Sequence, residues 1–343
     1  MDAIVRKRVA AWLFACCALL LVLIVVGGIT RLTRSGLSIV EWQPIVGTLP
    51  PLNEAQWLEV FDKYRQTPEY KQVNFGMSLA EFKHIFWWEY LHRLLGRLLG
   101  LAFFVPYAWF LLRGRLDRVT AIKLAGVFLL GAAQGGLGWF MVKSGLVDDP
   151  RVSHYRLTAH LGLAFAIFGA MFWLALDAAK LQLATPSVRV AKLARVAMAF
   201  AILVFVMILS GGLVAGIRAG YAYNTFPLMN GHVVPPEIML IEPWYLNFFN
   251  NMATVQFDHR LIAWILLGGA VGLWIGAYRA AVPTRARIAS HCLLAAVALQ
   301  FSLGIWTLLM RVPVVLGSAH QGGAVLVFAA ALWFAHELSK PQQ

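Results

Sequence analysis

Long apolar runs alternate with polar connections along the whole chain. Eight runs, at about 9–29, 84–111, 120–142, 154–178, 191–214, 255–278, 286–309 and 315–337, are long enough to cross a bilayer, which takes roughly 20 residues per helix. A spanning segment must satisfy its own backbone polar groups, so each run predicts a helix. Two connections on one side are long, about 30–83 and 215–253. In the first, Trp57, Phe61 and Tyr64 recur at helical spacing within the mixed polar stretch Asn53 to Lys71. That pattern predicts a short amphipathic helix lying on the outer membrane face. The second connection is rich in Pro, Gly and aromatics and predicts an ordered cap.

The first four runs echo the last four. Glu89-Tyr90-Leu91-His92-Arg93 returns as Gln256-Phe257-Asp258-His259-Arg260, and Gly27-Gly28 as Gly211-Gly212. Arg34, Gly36, Pro44 and Pro50-Pro51 match Arg218, Gly220, Pro227 and Pro235-Pro236. Gln134-x-x-Leu137-Gly138 matches Gln300-x-x-Leu303-Gly304. Four spans per repeat give both halves the same orientation, related by an axis along the membrane normal. The expected fold is an all-α integral membrane protein: eight transmembrane helices as two pseudo-symmetric four-helix bundles, residues 1–185 and 186–343.

Composition agrees. The chain is 60% hydrophobic and 13% charged, with a mean hydropathy of +0.70. Basic residues gather in alternate connections: Arg6, Lys7 and Arg8; Arg113, Arg115, Arg118 and Lys123; Lys180, Arg189, Lys192 and Arg195; Arg279, Arg285 and Arg287; Lys340. With eight spans these all fall on one side, which places both termini in the cytoplasm. The net charge of +13 is read as this bias together with contact to anionic lipid, and not as a nucleic-acid signal. The first run is too long for a cleavable signal and no Arg/Ser-rich transit segment precedes it, which favours a bacterial plasma membrane. Cys16, Cys17 and Cys292 all fall inside spans, so no disulfide is expected in the outer loops.

His92, His160, His259 and His320 each lie a few residues into an even-numbered run, at matching depth in the outer leaflet. Ionisable groups inside a membrane are costly, and by default they mark function. Two imidazoles per half, without a thiolate or carboxylate cluster, leave zinc short of ligands. They suffice for the axial positions of a heme, which also fills a bundle with apolar surface. Its propionates need cations near the outer surface, for which Arg93, Arg260, Arg34 and Arg218 are candidates. His84, His154, His232, His291 and His336 are read as packing or surface residues. Glu89 shares a helix face with His92. It can accept a proton or stabilise positive charge beside a bound heme; the competing reading is a structural ion pair with Arg93. Gln256 keeps the shape but cannot ionise. Asp258 is expected to support the ligands of its own half.

Together these residues resemble the heme A synthase family over essentially the whole chain. The resemblance rests on Glu89-x-x-His92-Arg93, on Gly27-Gly28-x-x-Arg31-Leu32-Thr33-x-Ser35-Gly36-Leu37-Ser38, on Asn224-Thr225-Phe226-Pro227-Leu228-Met229-Asn230-Gly231, and on the four-histidine repeat. It implies oxidation of the C8 methyl of heme O to a formyl group, giving heme A for cytochrome oxidase. It further implies a substrate site in the amino-terminal half and a heme b cofactor in the carboxy-terminal half. Carried over, His92 and His160 bind heme O, His259 and His320 ligate the heme b iron, and Glu89 serves catalysis. Some members carry a cysteine pair in each long outer loop. This chain has none there and resembles the cysteine-free proteobacterial and mitochondrial subgroup. Expected partners are heme O, the heme O synthase that precedes it, an electron acceptor outside the chain and the bilayer. A homo-oligomer is compatible with the sequence. The first alternative is a bis-heme b, quinol-linked electron-transfer subunit; the second is a transporter with a duplicated fold.

Overall fold

A computed structural model of the chain describes residues 1–41, 46–147, 149–179 and 188–339. Its helices, in chain order, are α1 (Ala3–Leu32), α2 (Glu54–Arg65), α3 (Pro68–Gln72), α4 (Leu79–Leu112), α5 (Arg118–Lys143), α6 (His154–Ala179), α7 (Val188–Gly216), α8 (Asn247–Asn250), α9 (Met252–Arg279), α10 (Thr284–Leu309) and α11 (Val314–Leu338). Among the described residues eight of these are long and apolar enough to cross a membrane, and the chain is a multi-pass membrane protein. Pro44, Lys180, Lys340 and the expected division at 185/186 lie outside the described residues.

Several helices begin earlier than their apolar runs because a polar side chain caps the added turn. Asp2 accepts from the Val5 amide at 2.7 Å. Ser78 and Glu81 form a capping box at the start of α4. Asp117 accepts from the Thr120 amide at 2.9 Å, and Asn251 from Ala253 at 2.9 Å.

α1 and α6 pack against each other, and so do α7 and α11. Across the halves α1 meets α11, α6 meets α7, and α6 meets α11. These four helices form the centre of the molecule; α4, α5, α9 and α10 flank it. Small residues let the central helices approach. A Cβ on Gly162 would strike Leu209, one on Gly322 would strike Val25, and one on Gly169 would press on Phe328. Polar ties also join the halves. Arg31 donates to the Ala215 carbonyl at 2.9 Å, and Gln321 donates to the Ile24 carbonyl at 2.8 Å. At the opposite end His336 meets Asp177 at 2.8 Å.

α2 and α3 form a small aromatic cap on the amino-terminal end of α4. Trp57 meets Phe86 with ring centroids 4.9 Å apart. Phe61 and Tyr64 meet Phe82 at 5.0 and 5.1 Å. The apolar side of the amphipathic segment is therefore not turned to lipid. It is buried against α4, which starts early enough to present Phe82. Thr67 and Pro68 divide the segment, because the Thr67 side chain caps α3 and Pro68 occupies its first turn. Cys16 and Cys17 are buried and Cys292 is exposed; all three are free thiols.

Candidate functional site

Each of the four expected ligands lies against a glycine on the preceding membrane helix. A Cβ on Gly27 of α1 would sit 2.8 Å from Cε1 of His92, and one on Gly138 of α5 would sit 3.0 Å from that of His160. In the other half, Gly211 of α7 gives 3.4 Å to His259 and Gly304 of α10 gives 2.9 Å to His320. The glycines of the repeated Gly-Gly and Gln-x-x-Leu-Gly segments thus clear the volume the imidazoles occupy. The glutamines of the second segment hold the ligand helices. Gln134 donates to the His160 carbonyl at 2.9 Å and Gln300 to the His320 carbonyl at 2.8 Å.

The imidazoles fit a metal held between two rings. His259 and His320 have ring centroids 6.5 Å apart. Two imidazoles on one metal, each bond about 2 Å long, place their ring centres about 6 Å apart. Nδ1 of His92 and Nδ1 of His160 are buried without a hydrogen-bond partner, and the two residues lie within Coulombic reach of each other. Among the described residues no three His, Cys, Asp or Glu side chains converge. The donor set is two neutral nitrogens per half, which suits heme iron.

Above each site an arginine clamps one of the two long loops, at repeat-equivalent positions. Arg93 donates to the carbonyls of Ile39 (2.8 Å) and Glu41 (3.1 Å). Arg260 donates to those of Tyr223 (2.7 Å) and Thr225 (2.9 Å). One turn earlier stand Glu89 and Gln256, each only 3% exposed. Glu89 accepts from Arg93 Nη2 at 2.7 Å and Nε at 3.1 Å, from the Ser38 hydroxyl at 2.7 Å and from the Ile39 amide at 2.8 Å. Gln256 accepts from Arg260 at 2.8 Å but donates to the Ala219 carbonyl at 2.6 Å. The ion pair weighed at Glu89 is therefore present. A carboxylate offers about four lone-pair sites, and these four donors occupy them. Most of the N–H groups of Arg93 are committed as well, leaving few for a propionate.

The other expected groups are placed differently. Arg34 and Arg218 share a left-handed backbone, φ 55° and 59°. Arg218 lies within Coulombic reach of Arg34 and Arg151, and burial together with these neighbours lowers its pKa. They form a cationic seam between the halves. Asp258 makes no hydrogen bond or ion pair among the described residues. His291 accepts from Trp274 at 2.9 Å, His336 packs edge-on to Trp173, and His84 and His232 are exposed. One group escaped sequence reasoning. Glu69 of α3 is 4% exposed and takes a hydrogen bond from the Tyr64 hydroxyl at 3.3 Å. Burial pushes its carboxyl up to about 7; the Tyr64 hydrogen bond opposes the rise, Glu89 adds to it and Arg34 opposes it. The available signal was an acid directly after Thr67-Pro68 in a segment whose neighbours are aromatic.

The model of a family described as cytochrome oxidase assembly protein, COX15-CtaA, matches residues 10–332. The heme A synthase of Nitrosospira multiformis is 59% identical over 342 residues, covering 98% of this chain and 95% of that protein. That of Nitrosomonas eutropha is 56% identical over 334 residues, 96% and 94% of the two chains. That of Paramagnetospirillum magneticum is 52% identical over 338 residues, 98% and 95%.

Proposed function

Because the chain belongs to the COX15-CtaA family of cytochrome oxidase assembly proteins, we propose that it is a heme A synthase acting on the C8 methyl of heme O. Two successive hydroxylations, with oxygen taken from water, carry the methyl to an alcohol and then to a geminal diol. The diol loses water to give the formyl group. One observation carries this reading: two half-sites share their paired histidines and their arginine clamp, yet one holds the carboxyl group of Glu89 where the other holds the carboxamide of Gln256.

On this reading residues 1–185 bind heme O through His92 and His160. Residues 186–343 hold heme b through His259 and His320, and the 6.5 Å separation of those rings supports the pairing. Bound heme b supplies one-electron redox chemistry between substrate and an acceptor outside the chain. Glu89 and Arg93 pin residues 38–41 over the substrate half and keep a paired charge there. With its lone pairs occupied, Glu89 serves by positioning and electrostatics and not as a base. Heme O enters laterally from the bilayer after its own synthase. The chain sits in a bacterial plasma membrane with both termini cytoplasmic.

The bis-heme b electron-transfer subunit does not need the Glu89/Gln256 difference. Pigment extraction from purified protein separates the readings. Heme A or a hydroxylated heme beside heme b is expected; heme b in both halves, with nothing else, would overturn the synthase.

A further inference from the structure

Far from the histidine ligands, α9 and α10 carry polar side chains on an exposed face. At 1.5 Å per residue Trp274 lies about 22 Å along α9 from His259, and Tyr278 follows one turn later. Arg287 and His291 are likewise one turn apart on α10. The two pairs face each other. Trp274 donates to His291 Nδ1 at 2.9 Å, and His291 Nε2 lies 3.2 Å from the Tyr278 hydroxyl. The Arg287 guanidinium lies 5.7 Å from the centre of the Tyr278 ring. Tyr278, Arg287 and His291 are all exposed. On a membrane helix that surface meets lipid, where polar groups are costly and need a reason.

Donor chemistry fixes the direction of these hydrogen bonds. An indole offers a hydrogen and no lone pair, so Nδ1 of His291 accepts and the ring is neutral. Its hydrogen is then on Nε2 and goes to the Tyr278 oxygen. The hydrogen of the Tyr278 hydroxyl is left to point outward, and no group accepts it among the described residues. A charge stands beside it. Arg285 is held by Glu337 at 3.2 Å, whereas Arg287 makes no ion pair among the described residues. Val271 and Ile275 flank Trp274 along α9 and Ile288 follows Arg287, all three exposed.

The first half has no such cluster. The repeat equivalents of Tyr278, Arg287 and His291 are Leu111, Ala121 and Ala125. That of Trp274 is Tyr107, whose hydroxyl closes onto the Ala121 carbonyl at 3.3 Å. The cluster is therefore more than the general bias of basic residues toward one side. An outward donor beside a cation suits an anion, and the apolar surface around it suits hydrocarbon chains.

We propose that this face binds an anionic phospholipid, with its phosphodiester held by the Tyr278 hydroxyl and Arg287 and its acyl chains laid along Val271, Ile275 and Ile288. Basic clusters on membrane helices recognise anionic head groups in this way. A zwitterionic lipid brings a second, cationic group that Arg287 repels, so the site selects net negative charge. The site uses no residue of either histidine pair and stands apart from the synthase reading.

The test uses the full-length protein, delipidated in detergent and titrated with phosphatidylglycerol or phosphatidylcholine. Native mass spectrometry reads the dissociation constant of the first bound lipid. The wild type should bind phosphatidylglycerol more tightly than phosphatidylcholine. Arg287→Gln should weaken phosphatidylglycerol about fivefold, the effect of one arginine near a membrane surface. Tyr278→Phe keeps the ring and removes the outward donor, and should also weaken it about fivefold. Tyr107→Phe and Arg118→Gln, in the first half, should leave it nearly unchanged. Inorganic phosphate at millimolar concentration should not displace the lipid. Equal binding of the two lipids by the wild type overturns the proposal, as does undiminished binding by the Tyr278→Phe/Arg287→Gln double variant. An equal loss from Arg118→Gln would reduce the preference to general attraction by a basic surface. Displacement by inorganic phosphate would make this a site for soluble anions. Either result also overturns the proposal.

Discussion

Glu89 and Gln256 hold equivalent arginines but face loops of opposite polarity. The carboxylate meets two donors, the Ser38 hydroxyl and the Ile39 amide; the carboxamide meets an acceptor, the Ala219 carbonyl. The residues are therefore not interchangeable. Glu89→Gln leaves Arg93 without its counter-charge and turns an NH2 group either toward Ser38 and Ile39 or toward Arg93, all of which are donors. Removing one partner of a buried ion pair costs about 3–5 kcal/mol. Heme A formation should collapse while heme b stays. Gln256→Glu should push a carboxylate against the Ala219 carbonyl and reduce heme b content. Extracted heme from both variants checks this; normal heme A from Glu89→Gln would reduce Glu89 to a dispensable tie.

The histidines divide by half. His259→Ala and His320→Ala should remove the low-spin heme b spectrum. His92→Ala and His160→Ala should keep it and abolish heme A. The glycines beneath them give a finer test. Gly304→Ala, with 2.9 Å to the ring of His320, should lower heme b more than Gly211→Ala, with 3.4 Å to His259. Loss of heme b from the amino-terminal variants would reverse the assignment.

Orientation can be read with reporters active only outside the cytoplasm. Fusions within 143–153 and within the two capped loops should be active. Fusions at 112–119 and at both termini should be silent. An active carboxy-terminal fusion would place the last helix in the opposite sense.

Much of this was legible in the sequence because a membrane makes the rules strict. Uninterrupted apolar runs had to be helices, and the repeat of Glu89–Arg93 in Gln256–Arg260 marked both arginines, though as partners for propionates and not as clamps on the loops. What could not be read was where a polar side chain finds its partner. Spacing along a helix placed Glu89 beside Arg93, but only the fold brought in Ser38 and Ile39. The apolar face of α2 looked lipid-directed because nothing in 53–71 shows that Phe82 and Phe86 lie opposite it. Glu69 went unnoticed for the same reason: its burial depends on Tyr64 and α4, not on its neighbours in the chain.

The cap should respond to pH. The Glu69 carboxyl is raised to about 7 in the fold from an ordinary 4.5. Its protonated form is favoured there, so cap stability is greatest below about 4.5 and declines as pH rises through about 7. The loss is about 3 kcal/mol at most. Hydrogen exchange in α2 and α3, corrected for its intrinsic pH dependence, should be faster at high pH. Glu69→Gln should remove that excess. Equal protection across the range would mean the carboxylate finds compensation in the folded cap.

The halves also differ in how their flanking helices meet. Trp264 of α9 and Phe301 of α10 pack edge to face with ring centroids 4.7 Å apart. Phe226 from the outer loop stacks on Trp264 at 6.1 Å. The repeat equivalents of Trp264 and Phe301 are Arg97 and Gly135, and a Cβ on Gly135 would meet nothing within 4 Å. An aromatic pair of this kind adds about 0.5–1.5 kcal/mol beyond its buried area, so α9 and α10 carry an aromatic tie at this level, whereas α4 and α5 have theirs at Phe104 and Phe128, 5.1 Å apart. A resident cofactor benefits from the closed arrangement, and a substrate that arrives from lipid benefits from the open one. Phe301→Gly should therefore release heme b faster to apomyoglobin while leaving His92 and His160 undisturbed. Gly135→Phe should leave heme b in place and lower heme A formation by narrowing the approach for a long isoprenoid tail. Unchanged heme b release from Phe301→Gly, together with normal heme A from Gly135→Phe, would show that this contact governs neither retention nor entry.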